Sequence, residues 1–184
     1  MENVKRGSSN VAFKWAAISL VATIILTYIW EFLKVDPNSP IRYLGFIPFI
    51  AFLFLAQKEY RDQLGGFATF GEEFVAGLLF SVFSGILGAI FIYIYYSWLS
   101  PAAYQLYLDA QKSAMEARNS SPDQVEQGMA FMNKFGIWIV VAGMLIGTPI
   151  IGAIISLIGA AIFKKGKSIL DIEKNSDSYI DPAV

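Results

Sequence analysis

The residues best placed to do chemistry are Glu72 and Glu73, adjacent carboxylates with Lys58 and Arg61 a short way upstream. Two converging carboxylates can divide the work of a general acid and a general base. Adjacent residues on a helix point about 100° apart, however, so this pair does not converge on one site by itself. Capping explains the first acid more simply. Thr69-Phe70-Gly71-Glu72 fits a capping box, in which the Thr69 hydroxyl takes the amide of Glu72 and the Glu72 carboxylate reaches back to the amide of Thr69. Both acids fall in a first turn, where the helix dipole favours negative charge. The chain contains no His and no Cys. It lacks the commonest general base and the commonest transition-metal ligand, and thiol nucleophiles, disulfides and Cys metal sites are excluded. Gly65-Gly66 is not followed by Gly-Lys-Ser/Thr, so it does not read as a phosphate loop. The expectation is a protein that is not an enzyme and that uses no cofactor or metal. Net charge is −1, which provides no basic field for nucleic acid.

The patterned residues are small rather than reactive. Gly77, Ser81 and Gly85 are spaced by four, and Ser84 and Gly88 form a second such pair. Gly143 and Gly147 make a GxxxG pair, and Gly152, Ser156 and Ala160 continue as another row. Small residues at this spacing let two helix backbones approach closely in lipid, so all of these are helix-packing candidates. They can meet within one chain or between chains. Ser19, Thr23 and Thr27 share one face of an earlier segment, a polar path or, more simply, a close packing face. Thr148-Pro149 sits within a long apolar run and predicts a kink, because Pro149 removes a helical hydrogen bond.

The elements carrying these residues are membrane spans. The chain is 184 residues long, 55% hydrophobic and only 16% charged, against about 25% charged in an average soluble domain. A bilayer core of about 30 Å needs roughly 20 helical residues. Four apolar runs suit that length: 13–33, 41–57, 74–99 and 136–163. The third has 26 residues without a charge and ends in Tyr93, Tyr95, Tyr96 and Trp98, rings of the kind that settle at a membrane interface. The second is short and holds Pro48, so a re-entrant helix competes with a full span. The charged stretch that follows, and the need to re-enter at Phe74, favour the span. Arg42 lies at its start, where Glu31 or Asp36 can pair with it.

Residues 57–68 read as a mixed-charge loop turning at Gly65-Gly66. Residues 100–135 read as an external amphipathic region. Ser100 caps it, Pro101 takes the first helical position, and Tyr104, Tyr107, Leu108, Gln111 and Met115 fall on one side. Asn119-Ser120-Ser121 interrupts it and matches a glycosylation sequon, which means little without a secretory context. Ser121-Pro122-Asp123-Gln124 is a second capping box, and its helix heads for the membrane. The tails are 1–12 and 167–184; the second is acidic, and its SILDIEK stretch can add a helical turn. The fold class is therefore all-α: a polytopic membrane protein of four spans plus an external amphipathic helix between the third and fourth. Four spans put both termini on one side. That side holds nine basic residues against five on the other, so the positive-inside rule places both termini in the cytoplasm.

GGFATFGEEFVAGLLFSVFSGILGAIFIYIYYSWLSP, followed by a polar helical stretch and then TPIIGAIISLIGAAIFKK, resembles the uncharacterised membrane-protein family known as domain of unknown function 4199. The similar parts are the basic-tailed first helix, the Gly66–Gly71 helix entry, Pro101 after the third helix and the Lys-ended fourth. The resemblance covers roughly residues 10–166. It implies a four-helix protein of the inner membrane of Bacteroidetes-type bacteria. It carries no established activity, substrate or catalytic residue, so there is no functional residue to transfer. The leading expectation is a non-catalytic scaffold or accessory subunit that works through helix contacts, surrounded by membrane lipid and partnered by another membrane protein or by its own copies. The alternative is a small oligomeric transporter or channel, motivated by Pro149 and the Ser19/Thr23/Thr27 stripe. No ionisable residue lies deep in any of the four runs, which counts against an ion path.

Overall fold

The computed structural model of the chain describes residues 7–166. Residues 1–6, with Lys5 and Arg6, and the tail at 167–184, with its SILDIEK stretch, lie outside the described residues. The first helix, α1 (Ser8–Phe32), starts earlier than residue 13. The reason is a buried stripe at helical spacing, Val11, Ala12, Ala16 and Ser19, whose first members need the extra turn. A turn over residues 33–39 leads into a short 3-10 segment, Pro40–Gly45, and then α2 (Phe46–Gln63). Pro48 is the third residue of α2, where a helical amide has no intrahelical acceptor and its loss costs little. The helix is unbroken, so the chain does not double back within it.

The charged stretch 58–62 is helical, not the loop its composition suggests. Glu59 accepts hydrogen bonds from Trp15 Nε1 at 2.8 Å and Gln63 Nε2 at 3.1 Å, and pairs with Lys14. These contacts bind the end of α2 to α1 and to itself. The turn proper is confined to residues 64–69, where Gly65 and Gly66 take φ of 84° and 85°, the left-handed region that glycine enters without penalty. Ala68 in this turn exchanges a reciprocal pair of backbone hydrogen bonds with Lys165, at 3.1 and 2.9 Å.

Helix α3 (Phe70–Ile94) begins at the Thr69–Glu72 capping box, both arms of which are present. The Thr69 amide donates to Glu72 at 2.7 Å and the Glu72 amide to Thr69 Oγ1 at 3.3 Å. Its far end widens into a π-helical turn, Tyr95–Leu99, closed by Ser100 N–H donating to Tyr95 O at 2.7 Å. Helix α4 (Pro101–Ala117) starts at Pro101, but Ser100 does not cap it. The Ser100 hydroxyl donates to Glu31 instead, which also accepts from Tyr95 OH at 3.0 Å. Glu31 is thereby committed to α1–α3 contact and does not pair with Arg42. Arg42 donates to the carbonyls of Asp36 and Val35, at 3.1 and 2.9 Å, rather than to a carboxylate.

After a turn at Asn119 comes α5 (Pro122–Phe163), 42 residues, begun by the Ser121–Gln124 capping box and running unbroken through Pro149. The polar stretch that follows the Ser121 cap and the last apolar run are thus one continuous helix, and α4 is a separate one.

Helix α3 is the hub: α1, α2 and α5 all pack on it, while α4 lies against the first part of α5 and the π turn. Ala12, Ala16, Leu53, Ala56 and Phe80 form the buried core. Large aliphatic side chains point outward instead, among them Ile25, Ile146, Ile150, Ile154 and Ile162. Four helical segments are long and apolar enough to cross a membrane: Ser8–Phe32, Pro40–Gln63, Phe70–Leu99 and Pro122–Phe163. Lipid is as apolar as these surfaces, so the bundle is held by close packing and buried polar contacts rather than by hydrophobic burial.

Candidate functional site

The small residues sort into two groups. Helices α3 and α5 run antiparallel, and each step of four along one is met by a step of four along the other. A Cβ on Gly77 would collide with Ser156, and a Cβ on Gly152 would collide with Ser81. Glycine on one helix faces serine on the other, twice over. A Cβ on Gly85 would sit 2.9 Å from the Met144 carbonyl and 3.3 Å from the Pro149 ring, so this glycine makes room for the proline. Gly88 is closed by Met144, with its Sδ 3.5 Å from a Cβ. Gly143 and Gly147 differ. A Cβ at either would meet nothing within 4 Å, and both line a cavity between α1, α2, α3 and α5.

The serine hydroxyls of the seam are satisfied along their own helix or across it. Ser81 donates to Gly77 O at 2.9 Å, and Ser156 donates across to Phe74 O at 2.9 Å. Gln57, at the end of the second apolar run, joins them. Its side-chain nitrogen lies 3.0 Å from the carbonyls of Glu73 and of Ser156, and 3.3 Å from Ser156 Oγ. One fully buried amide therefore pins α2 to α3 and α5 together, and Gly159 receives its other end. Spacing places Gln57 with Leu53 and Ala56 on one stripe; its polar character hides it among the charged residues that follow.

Next to it lies Glu73. Glu72 stays at the surface on its cap, whereas Glu73, about 100° further round, turns inward and is 0% exposed. Neither of its carboxyl oxygens has a hydrogen-bond partner, nor does the buried Nε of Arg61 on α2. Arg61 is held over the Phe163 ring at 5.7 Å, and its Nη1 donates to the Phe163 carbonyl at 3.5 Å. A buried carboxyl without partners is costly and therefore informative. The junction holds one carboxyl, amides and hydroxyls committed to backbone carbonyls. A carboxyl in this setting can exchange a proton, but no nucleophile stands beside it to be activated. Among the described residues no three His, Cys, Asp or Glu side chains group as a metal site.

At the opposite end, Tyr107 stacks on Tyr96 and on Tyr104, and Tyr96 meets Tyr104 at a tilt, with ring centroids 5.3 to 6.3 Å apart. Burial pushes the Tyr104 and Tyr107 phenols above their ordinary value. Tyr104 keeps its proton and donates it to Met132 O at 3.1 Å, with its hydroxyl pressed over Gly136 of α5.

No curated protein and no solved structure matches the chain. The sequence profile of one family, described as "Protein of unknown function (DUF4199)", matches residues 14–165, which runs from within α1 through α5 and ends at the Lys165 clasp. The chain therefore belongs to that family.

Proposed function

We propose that the protein is a non-catalytic accessory subunit or scaffold of a bacterial inner membrane, with both termini cytoplasmic and the α4–α5 hairpin standing outside as its contact element. The length of α5 carries this reading. At about 1.5 Å per residue its 42 residues reach about 63 Å, roughly twice the hydrocarbon core. The charge-free part, 136–163, is enough to cross. The surplus, 122–135, pairs with α4 and presents exposed Phe131 and, on α4, exposed Leu106. The Gly77/Ser81/Gly85 row of α3 and the Gly152/Ser156 row of α5 face each other inside the chain, so partner contact falls to this hairpin rather than to those two rows. The partner class is another membrane protein or a second copy; neither nucleic acid nor a cofactor enters.

Photo-crosslinking in native membranes tests this, with probes at Leu106 and Phe131 and a lipid-facing control at Ile154. A discrete protein crosslinked from the hairpin, and not from Ile154, is the expected result. Crosslinks to lipid alone from all three positions would remove the reading.

Buried, partnerless Glu73 favours a second reading, a small proton-coupled transporter. In proteoliposomes that reading requires proton flux above empty vesicles, lost in Glu73→Gln.

A further inference from the structure

We propose that the cavity between α1, α2, α3 and α5 is a binding site for a single-chain anionic amphiphile, a long-chain fatty acid, with its carboxylate at Arg42. The cavity measures about 420 Å³, within the roughly 300–1,000 Å³ range of small-molecule sites. Along α1 its wall runs from Ala16 to Trp30, about 21 Å at about 1.5 Å per residue. That length exceeds half of the roughly 30 Å hydrocarbon core, the depth that one acyl chain covers. A helix about 10 Å across would fill roughly 1,650 Å³ over that length, more than the space between these helices holds. A partner's helix is thereby excluded. One extended chain fits.

The walls agree with this occupant. Gly143 and Gly147 keep the α5 side open, and no side chain of the bundle closes on them. Most of the lining is apolar, with a few polar groups. Thr23 is already committed, donating to Ser19 O at 2.9 Å, whereas buried Ser84 Oγ has no partner. At the mouth Arg42 is oriented but not neutralised. Its Nε and Nη2 are held by the Asp36 and Val35 carbonyls, and its guanidinium lies 5.6 Å from the Trp30 ring centre. Among the described residues no carboxylate pairs with it, and its Nη1 makes no hydrogen bond. A fixed, unpaired guanidinium beside an apolar slot is a receptor for a carboxylate at the end of a chain.

The test uses the purified full chain and a palmitic acid carrying a diazirine at mid-chain. After irradiation, the label is expected on α1 and on residues 140–151 of α5, and to be saturable and competed by unlabelled palmitate. Hexadecanol should compete about tenfold or more weakly, and Arg42→Gln should raise the palmitate midpoint by about tenfold or more. Gly147→Leu should remove the label by filling the slot while leaving the melting temperature near wild type; Gly143→Val provides the same test if that variant misfolds. Non-saturable label spread over Ile154, Leu157 and Ile162 would mean lipid contact only and overturn the site. Equal competition by hexadecanol would overturn the anionic head. Stronger competition by a lysophospholipid than by palmitate would assign the mouth to phosphate and overturn the fatty acid.

Discussion

Gly152 and Gly147 sit five residues apart on one helix and have opposite surroundings. A leucine at Gly152 must enter the space of Ser81. The expected cost is more than about 3 kcal/mol, at the upper end of overpacking penalties, because the obstacle is a fully buried side chain on the hub helix. The Cβ of a leucine at Gly147 meets nothing within 4 Å and the cavity beside it takes the rest of the side chain, so the expected change is within about 0.5 kcal/mol. Thermal melting of the two variants in the same detergent checks the contrast; equal losses would contradict it. Both glycines are legible in the sequence as members of four-residue rows. What each one faces is not, because the row reports only which side of its own helix a residue occupies. Glu72 and Glu73 make the same point. The sequence identifies two acids in a first turn, but only the azimuth of α3 against α2 and α5 decides that one caps at the surface and the other is enclosed. Gln57 was hidden for a related reason: a polar residue between an apolar run and a charged stretch reads as the start of a loop.

Among the elements, the ones set by local chemistry can be read most directly. The two capping boxes, at Thr69 and Ser121, and the left-handed glycines at 65 and 66 need only their neighbours in sequence. The extension of α2 to Gln63 depends on Lys14 and Trp15, more than forty residues away, so no local pattern announces it. Ser100 fails as a cap for the same reason, since distant Glu31 competes for its hydroxyl. The α4–α5 hairpin depends on Tyr104, whose hydroxyl ties α4 to the α5 backbone. Tyr104→Phe keeps the ring and removes the O–H, with an expected loss of about 0.5–1.5 kcal/mol in hairpin stability. Hydrogen exchange should quicken at Met132 and its neighbours and stay unchanged in α3. Unchanged exchange throughout would show that the ring stack alone holds the hairpin.

For the whole molecule, the arrangement makes a prediction about sidedness. The absence of Cys means that any cysteine introduced is the sole thiol. Ser120→Cys at the hairpin tip and Asp62→Cys at the end of α2 should react with a membrane-impermeant maleimide from opposite faces. The tip should label in intact cells, and Asp62→Cys only after the membrane is opened. Labelling of both from one face would break the four-span topology, and the reverse pattern would invert its orientation. The Ala68–Lys165 clasp has a further effect on this architecture. A straight helix in lipid is free to spin about its own axis, and slippage by one residue turns it by about 100°. The two backbone bonds at Lys165 act as a key on a shaft, setting the rotational phase of α5. That phase directs Gly152 and Ser156 at α3 and turns Gly143 and Gly147 to the slot, so a short turn beside the membrane indexes surfaces several helical turns away.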